Sequence, residues 1–121
     1  MGIWVKAARV GFALALGLTL FYAFKPPTGE GGGLFPWDKA DHFSAFFTLA
    51  VLAIAAFPRT SLLRIGIALS VLGAMIEVIQ ALPFVHRDGD VFDWVAEMCA
   101  LTAVFGTLIS ARIRRTAASE D

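Results

Sequence analysis

The sequence has few charged residues, a single cysteine and no net charge. Only 17% of its 121 residues are charged and 58% are apolar, with a mean hydropathy of +0.73. A soluble domain has about a quarter charged residues, so this composition excludes that class. Because ten basic residues balance ten acidic ones, the chain has no excess charge with which to attract nucleic acid or bind a charged membrane surface. Cys99 has no second cysteine with which to form an internal disulfide bond.

Four long apolar stretches make up most of the chain, at 3–24, 38–57, 62–82 and 91–111. Each is long enough to span a membrane as a helix, since a bilayer core of about 30 Å takes about 20 helical residues. We therefore predict an all-α integral membrane four-helix bundle that forms one domain over residues 1–121. We expect the first stretch to stay as a helix rather than be removed as a signal peptide, because no small-x-small cleavage site follows it.

The basic residues are distributed unevenly between the two sides of the predicted bundle. Seven lie near the N-terminus, the second loop and the C-terminus, and three lie in or beside the other two loops. By the positive-inside rule, this distribution predicts that both termini are cytoplasmic and that the first and third loops face outward. The seven are Lys6, Arg9, Arg59, Arg64, Arg112, Arg114 and Arg115, and the three are Lys25, Lys39 and Arg87.

Ionisable residues lie inside three of the four predicted spans. Only 12 uncharged residues separate Arg64 from Glu77, and only 14 separate Glu97 from Arg112. At about 1.5 Å per residue neither run covers about 30 Å, and carboxylates inside a membrane normally face the bundle interior or a wet cavity. Helices two and four begin on the outer side and helix three ends there, so we predict one polar site at this side. Its members are His42, Glu77, Gln80, Arg87, Asp93 and Glu97, with Asp38, Lys39, Asp41 and Asp90 in support.

Several of these residues also have a structural interpretation. Asp38 and Asp90 each stand at a predicted helix start, where a carboxylate serves as an N-cap. Lys39 is expected to be solvated or to face lipid headgroups. A buried Glu77 needs a proton, a cation or Arg87 as its partner, so an ion pair that only locks two helices together is the alternative to a ligand site. His42 is equally well interpreted as an interior hydrogen-bonding residue.

Small residues at four-residue spacing predict close helix contacts. They are Gly66, Ser70 and Ala74 in the third helix, and Cys99, Ala103 and Thr107 in the fourth.

The order of the polar motifs is similar to that of a known family. Asp38-Lys39-x-x-His42-Phe43 is followed by Glu77-x-x-Gln80, and then by Pro83, Arg87, Asp90 and Asp93. Through these residues the chain, from about Trp37 to Gly106, resembles the VanZ-like family of small bacterial multi-pass membrane proteins. The family is named for a protein associated with teicoplanin resistance, so the resemblance implies a role in the cell envelope at the bacterial cytoplasmic membrane. Where the family usually has Asn this chain has Glu97, which makes its site more acidic.

Three kinds of function fit the predicted site. In the favoured one, an outer pocket engages an envelope component, either a lipid-linked cell-wall intermediate or a lipophilic glycopeptide antibiotic. The second is a proton- or cation-coupled transporter component for lipid or solute, which with only four helices we expect to work as a homo-oligomer. The third is a metal-dependent enzyme for a lipid-linked substrate, with a divalent cation on Glu77, Asp93, Glu97 and His42.

The sequence favours a non-enzyme among these classes. It has neither two histidines one helical turn apart nor a nucleophile motif, and it identifies no resident cofactor beyond the divalent cation of the third class. The lipid bilayer is the expected partner, and no nucleic-acid partner is predicted. The phenylalanines near the site are expected to meet the lipid portion of a ligand; they are Phe43, Phe46, Phe47, Phe84 and Phe92.

Overall fold

A computed structural model of the chain describes residues 2–25, 38–85 and 89–120. These residues form four long helices, α1 (Ile3–Phe24), α2 (Asp38–Ala56), α3 (Leu62–Gln80) and α4 (Val91–Glu120), with a 3₁₀ turn at Pro83–Val85. All four helices are long and apolar enough to cross a membrane. The prediction of an all-α chain with four helices able to span a membrane is confirmed.

Side-chain caps mark the starts of α3 and α4. Ser61 Oγ accepts a hydrogen bond from the backbone N–H of Arg64 at 3.2 Å. Asp90 Oδ1 accepts one from the backbone N–H of Phe92 at 2.9 Å, so the predicted N-cap at Asp90 is confirmed. Each cap satisfies a donor that the first turn of a helix leaves without a partner.

The end of α4 differs from the prediction. The apolar stretch ends at Ala111, but the helix continues to Glu120. Residues 112–120 contain no glycine or proline, so nothing in the local sequence interrupts the backbone hydrogen bonding. The extension is exposed throughout and carries three arginines.

Helix α2 is central in the bundle and packs against the other three helices. The core joins Phe46, Leu49, Ala50 and Ala53 of α2 to Ile65, Leu69 and Ile76 of α3 and to Ala100, Leu101 and Val104 of α4. On the outside, Leu14 is 65% exposed and Leu18 is 60% exposed, whereas Asp93 is 4% exposed and Glu97 is fully buried. Apolar side chains outside and ionisable ones inside are what a lipid environment favours.

Side-chain contacts at both ends of the bundle tie α1 to its neighbours. Arg9 Nε donates to the carbonyl oxygen of Ala56 at 2.9 Å, at the C-terminus of α2, where the helix dipole favours a cation. At the opposite end, Gln80 Nε2 donates to the carbonyl oxygen of Ala23 at 2.8 Å. This opposite end comprises the last two turns of α1 and α3 and the first two turns of α2 and α4, and we refer to it as the polar end.

Two of the six small residues predicted to bring helices together lie against α4. Gly66 faces the ring of Phe105, and the carbonyl oxygen of Ser70 accepts a hydrogen bond from Trp94 Nε1 at 3.2 Å. Ala74, Cys99, Ala103 and Thr107 are all exposed, so this prediction is wrong for them. A further close approach between α3 and α4 occurs at Gly73, because the side chain that meets α3 there is a carboxylate that needs space.

Candidate functional site

An imidazole and two carboxylates from three helices meet at the polar end. His42 Nδ1 in α2 lies 2.9 Å from Glu97 Oε1 in α4, at hydrogen-bonding distance. The same nitrogen lies 3.9 Å from Glu77 Oε1 in α3. One potential ligand atom from each of the three residues lies within 4.8 Å of the other two. We call these three residues the central cluster.

Two oxygen atoms of the central cluster have no hydrogen-bond partner among the described residues. They are Glu77 Oε1 and Glu97 Oε2, and both are buried. The other oxygen of Glu77, Oε2, accepts a hydrogen bond from the backbone N–H of Asp90 at 3.0 Å. A buried polar atom without a partner carries a desolvation cost of about 1 to 3 kcal/mol, and more when it is charged. The two oxygens are therefore the atoms at which a bound proton, cation or donor group would be most stabilising.

A second layer of charged groups surrounds His42. Lys39 Nζ lies 3.0 Å from Asp90 Oδ2 and 3.1 Å from Asp93 Oδ1. The other oxygen of Asp93, Oδ2, lies 3.4 Å from His42 Nε2. Lys39 thus joins the first turns of α2 and α4, while its side chain remains 27% exposed. The backbone N–H of Phe92 and the ammonium group of Lys39 lower the pKa of the Asp90 carboxyl group below its ordinary value.

Two glycines make the close packing of the site possible. A Cβ at position 73 would collide with Glu97 Oε2, so only glycine leaves room for that carboxylate. A Cβ at position 89 would lie 2.7 Å from the carbonyl oxygen of Glu77 and 2.9 Å from Ala81 Cβ. Glycine at 89 therefore lets the chain pass over the end of α3 and bring the backbone N–H of Asp90 to Glu77.

Neither glycine was predicted from the sequence to shape the site. For Gly73 a signal was available, because it stands four residues before Glu77 and so on the same face of the helix. A glycine inside a helix destabilises it by about 1 kcal/mol relative to alanine. A glycine at such a position therefore indicates a close contact with a neighbouring helix.

The other predicted site residues have different positions. Gln80 is 3% exposed, and its amide nitrogen satisfies a carbonyl oxygen at the end of α1. Asp41 is partly buried in the first turn of α2. Asp38 begins α2, but its side chain lies outside the description, as does all of Arg87. The ion pair between Glu77 and Arg87 therefore stays a prediction.

The nearby phenylalanines fall into two groups. Phe46 is 1% exposed and belongs to the core, so the expectation that it meets a lipid is wrong. Phe84 and Phe92, beside the site in sequence, are 76% and 64% exposed. Phe43 and Phe47 stack on each other, with ring centroids 6.1 Å apart.

The chemistry of the described site is that of a hydrogen-bond acceptor and cation binder. Four carboxylates, those of Glu77, Asp90, Asp93 and Glu97, surround one ammonium group and one imidazole. The ammonium group of Lys39 already bonds to two of them, so among the described residues this cluster offers no additional lysine or arginine for an anion. Comparison of the chain with protein-family models, curated proteins and solved structures gives no match.

Proposed function

We propose that this chain is a VanZ-like protein of the bacterial cytoplasmic membrane that engages an amphiphilic component of the cell envelope through the central cluster. The component is a lipid-linked cell-wall intermediate or a lipophilic glycopeptide. The observation that carries the proposal is the meeting of the partly buried His42 with the buried Glu77 and Glu97, from three helices, at one end of an apolar bundle. Ionisable side chains inside a membrane are costly, and they mark ligand, ion or proton sites.

The acceptor-rich chemistry of the site supports a ligand with many donor groups. Both proposed ligands carry sugar hydroxyl and peptide N–H groups, and carboxylates form strong hydrogen bonds with such donors. The exposed rings of Phe84 and Phe92 offer apolar surface for the lipid portion. A phosphate group would need a cation between it and the acids, because like charges repel at short distance.

The proposed topology gives the site access to such ligands. With both termini in the cytoplasm, as the seven-to-three distribution of basic residues favours, the polar end faces outward. Envelope intermediates and externally added glycopeptides are both found on that side.

A second candidate, a proton- or cation-coupled transporter component, is favoured by the two unpartnered oxygens. Glu77 Oε1 and Glu97 Oε2 are buried without a hydrogen bond, and carboxylates of this kind form ion and proton pathways in membrane proteins. Four helices are few for alternating access, so this function would require a homo-oligomer. A proteoliposome assay that follows movement of the lipid-linked intermediate across the bilayer separates transport from binding.

Native mass spectrometry of the purified protein, with teicoplanin or a purified lipid-linked cell-wall intermediate added, tests the proposal. We expect a stoichiometric adduct with at least one of the two on the wild type. We expect the same adduct on the Glu120→Gln control, whose substitution is at the exposed end of α4, and its loss from Glu77→Gln. No adduct on the wild type, or an undiminished adduct on Glu77→Gln, would contradict the proposal.

A further inference from the structure

We propose that His42, Glu77 and Glu97 bind one divalent transition-metal ion, Zn²⁺ or Mn²⁺, through the imidazole and the two carboxylates. Metal binding at this site does not depend on the proposed envelope ligand, so either proposal can be wrong while the other holds. The proposed site has three metal ligands, whereas the sequence suggests a fourth, Asp93. Asp93 contacts the far side of His42 rather than completing the three-residue group.

The spacing of the donor atoms suits a single ion. His42 Nδ1 lies 2.9 Å from Glu97 Oε1 and 3.9 Å from Glu77 Oε1. Two ligand atoms that each lie about 2.1 Å from a metal are about 3.0 Å apart at a right angle and about 3.4 Å apart at the tetrahedral angle. The two observed separations bracket these values, so small side-chain rotations bring the three atoms to coordination distance.

The unpartnered Oε1 of Glu77 provides an independent reason for a bound cation. The side chain of Glu97 is fully buried and that of Glu77 is 10% exposed, and each keeps one buried oxygen without a hydrogen bond. In Glu77 that oxygen, Oε1, is the one that lies toward His42, because Oε2 is occupied by the backbone N–H of Asp90. Burying a carboxylate in an apolar surrounding is costly unless it is paired or coordinates a metal.

Asp93 and Lys39 form the outer support that such a site requires. A histidine bound to a metal through one ring nitrogen normally donates its other N–H to a carboxylate, which fixes the tautomer and the ring orientation. Asp93 Oδ2 lies 3.4 Å from His42 Nε2 in the position for this role, and Lys39 holds the other oxygen of Asp93 at 3.1 Å. Asp93 is therefore a positioning residue.

Charge and donor type select the class of ion. A divalent cation offsets the two negative charges of Glu77 and Glu97, and Lys39 offsets part of the charge on Asp90 and Asp93. Zn²⁺ accepts one imidazole with carboxylate ligands, and three protein ligands leave a position open for water or another ligand. Mn²⁺ accepts the same mixture, whereas Mg²⁺ and Ca²⁺ prefer oxygen alone.

Metal titration of the purified protein with ZnCl₂ or MnCl₂, read out by calorimetry and by elemental analysis after dialysis, tests the proposal. We expect one ion per chain in the wild type and in Glu120→Gln. Binding should be lost in His42→Gln and Glu97→Gln. Asp93→Asn should weaken it by about 10- to 100-fold, as removal of a carboxylate behind a ligand histidine does elsewhere.

A spectroscopic measurement on the Mn²⁺-loaded protein keeps the test informative if a variant fails to fold. Pulsed electron paramagnetic resonance of the wild type should show coupling to an imidazole nitrogen, and His86→Gln, which changes the other histidine, should retain it. Absence of bound metal, absence of nitrogen coupling, or unchanged binding in folded Glu97→Gln would overturn the proposal.

Discussion

Substitution of Gly73 by alanine tests how tightly the Glu97 carboxylate is seated against α3. A Cβ at this position would collide with Glu97 Oε2, so the carboxylate must move away from His42 and lose the 2.9 Å contact. Gly66 offers a matched control in the same helix. A Cβ at position 66 would lie 3.8 Å from the ring of Phe105, an ordinary contact.

Both substitutions increase helix propensity, but only Gly73→Ala loses the hydrogen bond between Glu97 and His42. Replacing glycine by alanine inside a helix stabilises it by about 1 kcal/mol. Loss of a hydrogen bond to a charged group costs about 1.5 to 3 kcal/mol. We therefore expect Gly66→Ala to stabilise the bundle by up to about 1 kcal/mol and Gly73→Ala to destabilise it by about 0.5 to 2 kcal/mol.

Equilibrium unfolding in mixed micelles measures both variants, and a double-mutant cycle with Glu97→Ala isolates the contact. Without the Glu97 carboxylate, Gly73→Ala should stabilise the bundle as Gly66→Ala does. If Gly73→Ala already stabilises the otherwise unaltered protein to the same extent as Gly66→Ala, then the Glu97 carboxylate does not occupy the space beside Gly73, and the reasoning is wrong.

Two further predictions concern Lys39 and the membrane topology. Lys39→Met should lower the thermal stability more than Lys6→Met does, because Lys39 bonds to two carboxylates whereas Lys6 is exposed; equal melting temperatures would count against the Lys39 contacts. In a Cys99→Ser background, a membrane-impermeant maleimide should label Phe84→Cys on intact cells and Ser119→Cys only after the cells are opened, and the reverse pattern would exclude cytoplasmic termini.

The helices were predictable because each is a long apolar stretch bounded by breakers or polar residues. All four begin at the residues where the predicted spans begin. Helices α2 and α3 end one and two residues before the predicted spans do, and α4 continues beyond Ala111. The helix continues because residues 112–120 contain no glycine or proline, and the length of the apolar stretch does not indicate this.

The site was partly predictable because consecutive membrane-spanning helices run in opposite directions. The starts of α2 and α4 therefore lie at the same side of the bundle as the end of α3. The sequence does not indicate which polar side chain faces which neighbour within that end. Gln80 shares a face with Glu77 but bonds to α1, and Lys39 bonds across to α4. The position of Phe46 in the core depends on contacts between helices, which spacing along one helix does not specify.

The central claim is that the cluster of His42, Glu77 and Glu97 holds a bound species rather than only joining three helices. The most direct test is native mass spectrometry of protein released straight from bacterial membranes, without added ligand. We expect a bound mass, either a metal ion or an amphiphile, on the wild type and on Glu120→Gln, and its absence from folded Glu97→Gln. The same bound mass on Glu97→Gln, or no bound mass on the wild type, would contradict it.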